Sequence, residues 1–370
     1  MITVALFFFL FYAFFLFLFL GIGMNRQWKK ERKYVAQSNQ IELSELTVIV
    51  PFRNEEKRIL ELLNSIKNSS KLPSKIIFVD DHSEDATVSI IQDKLGSIPF
   101  EILSASDGEF GKKKALRLGI SKVQTNYFFT LDADIAFASD YFESLEKLEK
   151  ADMYLLPAVL IAKRWFEPIF EVDILLINAL NTGLSGLKRP IIASGANLLV
   201  RKAAYYKFDR FETHAHVPSG DDIYLLRDFR NAKADVRVCT IPKFQVTTET
   251  PQSFKEFIHQ RMRWIAKTGD VNDHLSTALA IFQLLLTIGL FGILAYLIIV
   301  QNYYLSSIIF AFKVCVDMLL FLPFFKRFNR LKAWFLLPVY QIIFPFYNLL
   351  ILVLLPFFKP VWKGRVSGVK

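Results

Sequence analysis

The apolar runs near both ends of the sequence limit the possible fold most strongly. Residues 2–23 contain no charged side chain, and a helix of that length crosses a hydrocarbon layer about 30 Å thick. The sequence here lacks the basic start and the small-residue cleavage site of a secretory signal. Further apolar stretches cover residues 275–300, 305–325 and 333–358. We therefore expect an integral membrane protein with an uncleaved anchor at residues 1–24.

Charged residues beside these runs indicate the orientation of the chain. Five basic residues follow the first run directly: Arg26, Lys29, Lys30, Arg32 and Lys33. The positive-inside rule assigns the segment after them to the cytoplasm. The net charge of +10 fits such membrane-flanking clusters, and the sequence contains no nucleic-acid-binding module, so we expect no nucleic acid partner. With only Cys239 and Cys315, we expect neither a disulfide framework nor a zinc site.

Short β-branched or aromatic runs alternate with segments of helical spacing from residue 46 onward. The runs cover residues 46–50, 75–79, 100–103 and 127–131. This alternation predicts a β-α-β-α-β-α-β order and hence a mostly parallel, doubly wound α/β sheet of the Rossmann-like type. We place this α/β domain at residues 46–252, after a basic juxtamembrane linker at residues 25–45.

Polar residues follow each of these four predicted strands, at residues 51–56, 80–83, 107–112 and 132–134. Ligands of open α/β sheets lie at the carboxyl ends of the strands, so these loops predict a binding crevice. Asp132 and Asp134 are hard oxygen donors, which suit a divalent cation bound to a diphosphate. Taken alone, the same pair is more typical of a solvated turn than of a metal site. Asp80 and Asp81 are also compatible with helix capping.

The second half of the chain leads back to the membrane. Asp221 and Asp222 begin a predicted helix, where two acids either serve chemistry or favour the helix dipole. We predict an amphipathic interface helix at residues 253–272, transmembrane helices at residues 273–358 and a basic tail at residues 359–370. Four crossings would separate the tail from the cytoplasm, so Pro338 and Pro345 favour a broken or re-entrant last stretch. Lys313 and Asp317 are expected to pair.

Six motifs, in this order, resemble those of the membrane-bound inverting glycosyltransferases of family 2, which have the GT-A fold. The branch that the sequence resembles most contains ceramide glucosyltransferases and bacterial lipid glycosyltransferases. The motifs are residues 50–55, residues 79–83, Gly111-Lys112 with Ala115-Leu116, Asp132-Ala133-Asp134, Asp221-Asp222, and the Q-x-x-R-W of residues 260–264. The closing Trp362-Lys363-Gly364-Arg365 is similar to a terminal motif of lipid-modifying members.

The resemblance implies a role for each motif. Asp222 corresponds to the catalytic base, and Asp134, with Asp132, to the ligands of Mg2+ or Mn2+. The residues implied to bind the nucleotide sugar are Pro51, Glu55, Asp80, Asp81, Lys112, Asp132 and Arg263. The residues implied to contact the acceptor are Asp221, Gln260 and Trp264. The family pattern has Glu at the position of Asp221, and a third acid at the position of Tyr224.

These features together predict an enzyme with its catalytic domain on the cytoplasmic side of a bacterial-type inner membrane. We expect it to transfer one sugar from a nucleotide sugar to a hydroxyl group of a membrane lipid. A UDP-sugar is the favoured donor. A processive polysaccharide synthase, related to cellulose and hyaluronan synthases, is the main alternative. A catalytically inactive nucleotide-binding scaffold fits less well, because the acids and the Q-x-x-R-W motif are all present.

Overall fold

A computed structural model describes residues 2–35, 38–96, 98–106, 108–215, 220–270, 273–358, 361–362 and 365–366. The chain divides into two compact units. The first, here called the helical unit, contains residues 1–27, 162–190 and 250–358. The second, here called the sheet unit, contains residues 28–161, 191–249 and 359–370. Residues 162–190, which lie inside the predicted α/β domain, thus belong to the helical unit.

The described helices and strands are numbered in chain order. The helices are α1 (Ile2–Leu16), α2 (Met24–Tyr34), α3 (Ile59–Lys67), α4 (Thr87–Leu95), α5 (Lys112–Ser121), α6 (Tyr141–Leu145), α7 (Pro168–Gly186), α8 (Lys202–Phe208), α9 (Asp221–Asn231), α10 (Phe254–Asp270), α11 (His274–Ile299), α12 (Tyr303–Arg327), α13 (Leu331–Trp334) and α14 (Leu337–Leu354). A π-helical segment, Phe17–Gly23, joins α1 to α2. The strands are β1 (Leu46–Phe52), β2 (Lys75–Asp80), β3 (Phe100–Ser104), β4 (Tyr127–Leu131), β5 (Ile135–Ala136), β6 (Met153–Leu155), β7 (Ala158–Ile161), β8 (Asn197–Arg201), β9 (Val236–Val238), β10 (Val246–Glu249), β11 (Val361–Trp362) and β12 (Arg365–Val366).

Within the described residues, the sheet unit is built on a seven-stranded sheet with the order β3-β2-β1-β4-β8-β6-β9. β8 runs antiparallel to its neighbours β4 and β6, and every other pairing is parallel. A second sheet, β5-β10-β7, contains three short strands. The predicted mostly parallel α/β sheet is confirmed. The four strands predicted from sequence begin at the predicted residues and end within two residues of the predicted ends.

Both faces of the main sheet are covered, which explains the uninterrupted apolar character of β1. All seven residues of β1 are buried, as expected for a parallel strand with helices on both sides. Val48 and Val50 belong to a core cluster that includes Leu62 and Leu63 of α3. Ile49 points to the opposite face, in the cluster that contains Leu116 of α5. The period of two along β1 therefore separates the two cores.

In the described part of the chain, four helices are long and apolar enough to cross a membrane. They lie within residues 7–34, 276–299, 303–327 and 337–357. The last predicted stretch is interrupted ahead of Pro338, between α13 and α14, while Pro345 lies inside α14. The expectation that Pro345 breaks this helix is therefore wrong, and such prolines are tolerated where neighbouring groups satisfy the backbone.

The predicted pair of charges inside the helical unit is confirmed. Lys313 donates from Nζ to Asp317 Oδ2 over 2.6 Å, and both side chains are buried. Tyr12 donates to the other oxygen of Asp317, and Gln341 accepts from Lys313. This network supplies hydrogen-bond partners to both charges, as an apolar surrounding requires.

Candidate active site

The loops after β1 and β2 are joined by buried polar contacts at the carboxyl end of the sheet. Asp80 accepts a hydrogen bond from Ser83 N over 2.9 Å. Asp81, which is fully buried, accepts from Gly111 N with both carboxylate oxygens, at 3.1 and 3.0 Å. Arg53 donates to the carbonyl oxygens of Asp81 and His82. The two acids thus shape the loops and link β2 to the start of α5, while Asp107, in the third predicted loop, lies outside the described residues.

Two further residues of the predicted site lie at the end of β1 and just after it. Pro51 is buried inside β1 and pairs in register with Val79. Glu55 donates from its backbone N to Thr87 Oγ1 over 2.8 Å. These contacts fix the first loop against the N-terminal turn of α4.

Lys112 is surrounded by three carboxylates from distant parts of the sequence. It donates from Nζ to Asp132 Oδ1. A Cβ atom built on Gly195 would lie 3.5 Å from Asp221 Oδ2, 3.6 Å from Lys112 Nζ and 3.7 Å from Asp222 Oδ2. Burial lowers the pKa of Lys112, but attraction to Asp132, Asp221 and Asp222 outweighs it and holds that pKa above its usual value. The structure therefore brings together four residues that the sequence singled out.

The backbone around Gly195 and Gly220 sets the direction of the Asp222 carboxylate. Gly195 N donates to Asp222 Oδ2 over 2.9 Å, and Ile223 N donates to Oδ1 over 2.9 Å. Thr130 of β4 holds the same turn, because its hydroxyl donates to Gly195 O over 2.8 Å. Gly220 precedes α9 with φ of +89°, a left-handed conformation that favours glycine.

Asp134 is held by a basic residue that sequence reasoning did not single out. Arg58 Nη1 lies 3.3 Å from Asp134 Oδ2, and Arg58 Nη2 lies 2.9 Å from Glu55 Oε2. Burial lowers the pKa of Arg58, but Asp134 and Glu55 raise it to a value above normal. The spacing of three residues between Glu55 and Arg58 is the only sequence signal for this link, and it is a common one.

Asp132 and Asp134 have the chemistry of a divalent-metal site. Their side chains are 32% and 28% exposed, so both carboxylates are accessible to a ligand. Asp132 pairs with Lys112, and Asp134 pairs with Arg58. Hard carboxylate oxygens at such a position fit Mg2+ or Mn2+.

The Q-x-x-R-W motif lies on α10, in the helical unit. Its neighbour Arg261 pairs with Asp173 of α7, and its guanidinium carbon lies 4.4 Å from the Trp264 ring centroid. Tyr340 and Tyr347 of α14 both donate to Asp173. Sequence reasoning did not predict this pair, because Asp173 and Arg261 are far apart in sequence and belong to no shared motif. In the terminal motif, Lys363 and Gly364 lie outside the described residues.

Part of the chain is similar to a known protein family. Residues 47–165 match the model of the family described as glycosyl transferase family 2. A 4,4'-diaponeurosporenoate glycosyltransferase of Staphylococcus aureus (strain USA300) is 37% identical over 93 residues. That match covers 25% of this chain and 24% of the relative, so the chain spans about a quarter of the curated relatives it matches.

A solved structure shares the fold over most of the chain. The mannosyltransferase PcManGT from Pyrobaculum calidifontis, in complex with GDP-Man and Mn2+, superimposes with a TM-score of 0.52 at 15% identity. The match covers 91% of this chain and 98% of that chain. The predicted α/β fold of GT-A type, combined with membrane-length helices, is confirmed. The chain therefore has a fold of GT-A type, in which residues 47–165 match the model of glycosyl transferase family 2.

Proposed function

We propose that this protein is an inverting glycosyltransferase that moves a sugar from a UDP-sugar to a hydroxyl group of a membrane lipid. The proposal places the reaction at the cytoplasmic face of a bacterial-type inner membrane. The observation that carries it is the convergence of Asp222, Lys112 and Asp132 at the carboxyl end of β4. Four helices of membrane length in the described chain support a lipid acceptor.

Asp222 acts as the general base in this proposal. The acceptor oxygen bonds to the anomeric carbon of the sugar, the bond from that carbon to the diphosphate breaks, and Asp222 takes the hydroxyl proton. Attack opposite the leaving group inverts the anomeric centre. The N–H groups of Gly195 and Ile223 hold one carboxylate oxygen each, which orients the base before substrate arrives.

The residues around Asp132 and Asp134 handle the donor. Asp132 and Asp134 would hold a divalent ion, which would supply positive charge to the leaving diphosphate. Lys112 positions Asp132, and Arg58 positions Asp134. Asp80 and Asp81 order the loops proposed to receive the nucleobase and ribose. Arg263 as a phosphate donor, and Gln260 with Trp264 at the acceptor, remain predictions from the family resemblance.

The decisive experiment incubates membranes containing the protein with labelled nucleotide sugars and then extracts the lipids. We expect a labelled small lipid from wild type and a rate lower by roughly 10²–10⁴-fold for Asp222→Asn, which loses the base. The variant should still bind the nucleotide, because Asp80, Asp81 and Asp132 are unchanged. Its amide has a single acceptor oxygen and therefore loses the hydrogen bond from either Gly195 N or Ile223 N. Asp93→Asn, the same substitution at an exposed position of α4, is the matched control and should transfer normally.

The products also separate the two enzyme classes. A labelled product of high mass in place of a lipid would indicate the processive synthase. Normal turnover by Asp222→Asn would remove Asp222 from the mechanism. A wild-type protein that binds nucleotide but yields neither product would support the inactive scaffold.

Metal removal tests the role of Asp132 and Asp134. We expect transfer to collapse when divalent ions are chelated and to recover on addition of Mn2+ or Mg2+. Asp134→Asn should weaken Mn2+ binding to the purified protein, measured by the paramagnetic signal of free Mn2+. Full activity in the presence of excess chelator would contradict the proposed metal site.

A further inference from the structure

A second cluster of potential metal ligands lies in the sheet unit, formed by Asp209, His214 and Asp228. His214 Nε2 lies 3.8 Å from Asp209 Oδ1 and 3.8 Å from Asp228 Oδ2. One ligand atom from each residue lies within 4.8 Å of the other two. The cluster does not include Asp132 or Asp134, and neither the proposed reaction nor the family resemblance uses it.

His214 lacks the hydrogen bonds that its burial demands. The residue is only 2% exposed, and neither ring nitrogen has a hydrogen-bond partner within 3.5 Å among the described residues, since the carboxylate oxygens nearest to Nε2 lie 3.8 Å away. Leaving a buried polar group unsatisfied costs about 1–3 kcal/mol. A metal ion that binds the lone pair of Nε2 would give this nitrogen a partner, and the two nearest carboxylates would share the ion.

Surrounding groups already orient the three side chains. The His214 ring stacks on Tyr224, with centroids 4.4 Å apart and planes 9° apart. Asp228 Oδ1 pairs with Arg227 at 2.8 Å, and Oδ2 accepts from Arg210 N at 3.0 Å while facing His214. Asp209 is hydrogen-bonded to the Tyr205 side chain. Partners of this kind fix ligand orientation in metal sites.

We propose that Asp209, His214 and Asp228 bind one divalent transition-metal ion, with Zn2+ as the best match. Imidazole favours such ions over Mg2+, and three protein ligands with one open position are common for Zn2+. Tetrahedral Zn2+ separates its N and O ligands by about 3.4 Å, so the observed 3.8 Å requires only a small contraction. The low cysteine count argued against a zinc site with cysteine ligands. It does not argue against this site, whose ligands are one imidazole and two carboxylates.

The ion would connect the segment before α9 to α9 itself. Asp209 and His214 precede this helix, whereas Asp228 lies within it and Asp222 lies in its first turn. Asp209, His214, Asp221 and Asp222 also line one cavity. The bound ion would therefore stabilise the helix that carries the proposed base.

Calorimetric titration of the full-length, metal-stripped protein in detergent with Zn2+ tests this site. Asp132→Asn and Asp134→Asn are introduced together, so that the proposed catalytic pair does not bind the titrant. We expect one Zn2+ per chain and a higher unfolding temperature in this background. Adding His214→Gln should weaken binding at least about tenfold. Adding His259→Gln, at an exposed histidine of α10, should leave binding unchanged.

Two results would overturn the proposal: no Zn2+ binding in the background variant, or equal binding after His214→Gln. The metal-free unfolding temperature of each variant shows whether it is folded. Should His214→Gln fail to fold, the visible spectrum of the background variant with Co2+ decides. Intense tetrahedral bands support the site, and the weak spectrum of hydrated Co2+ excludes it. None of these measurements depends on glycosyl transfer.

Discussion

Lys112 is the positive charge that three carboxylates of the sheet unit share. Asp132 and Asp222 are far apart in sequence, and their like charges would repel without a cation between them. Lys112 supplies it from the first turn of α5 and keeps a pKa above its usual value, because attraction to the acids exceeds the effect of burial. The side chain thus serves stability as well as the proposed donor site.

Lys112→Met should destabilise the protein by roughly 1–3 kcal/mol at neutral pH, since it leaves Asp132 without its charged partner. The pKa of Lys112 is higher in the folded than in the unfolded protein, so its charge stabilises the fold fully at any pH below the unfolded pKa of about 10.4. That contribution is lost as pH rises through the folded pKa. The difference in unfolding temperature between variant and wild type should therefore stay constant up to about pH 10 and shrink above it. Lys112→Arg is the charge-preserving control, and equal stability of the Met variant at neutral pH would contradict this account.

The site residues that could be predicted from sequence are those whose positions follow from the ends of predicted strands. Asp80, Lys112 and Asp132 follow strands or begin a helix, so the topology alone brings them to one edge. The partners of these residues could not be predicted in the same way. Arg58 reaches Asp134 only because the loop after β1 turns back toward β4. His214 meets Asp228 through packing on Tyr224, which no local pattern encodes.

At the level of elements, close helix contact explains three glycines of the helical unit. A Cβ on Gly186 of α7 would lie 1.8 Å from Gly23 O, and one on Gly23 would lie 2.3 Å from Gly183 O. Small residues of this kind allow helix backbones to approach closely in membranes. The α7 helix contains two acids, Glu171 and Asp173, both buried in the structure, and it is not among the four described helices that are long and apolar enough to cross a membrane.

Gly186→Ala should destabilise the helical unit by roughly 1–3 kcal/mol, because the added methyl group overlaps backbone atoms that cannot move independently. Gly292→Ala on α11 is the matched control, since no described atom lies within 4 Å of a Cβ at that position. It should be neutral or slightly stabilising, as alanine favours helix. Thermal unfolding in detergent compares the two, and equal unfolding temperatures would refute the close-contact explanation.

At the level of the whole molecule, the expected number of membrane crossings depends on the side of the membrane on which β11 and β12 lie. The short β11–β12 hairpin falls in the same compact unit as the main sheet. A segment in that unit must lie on the same side of the membrane as the sheet. An even number of crossings must then separate Glu249 from Val361, yet α11, α12 and α14 are three candidate helices. We predict that α14, which has 18 residues and includes two prolines, is the helix that does not cross.

Labelling of single cysteines in a variant without Cys239 and Cys315 tests this topology. A cysteine at Val366 should react with a membrane-impermeant maleimide in inside-out vesicles and stay protected in right-side-out vesicles. A cysteine at Asn302, between α11 and α12, should show the opposite pattern and serves as the control. Both patterns require the basic residues after Gly23 and after Phe358 to share the cytoplasmic side, as the positive-inside rule expects. Labelling of both cysteines from the outer side would mean that α14 crosses as well, and labelling of both from the inner side would mean that α11 and α12 do not form a crossing pair; either result would contradict the predicted topology.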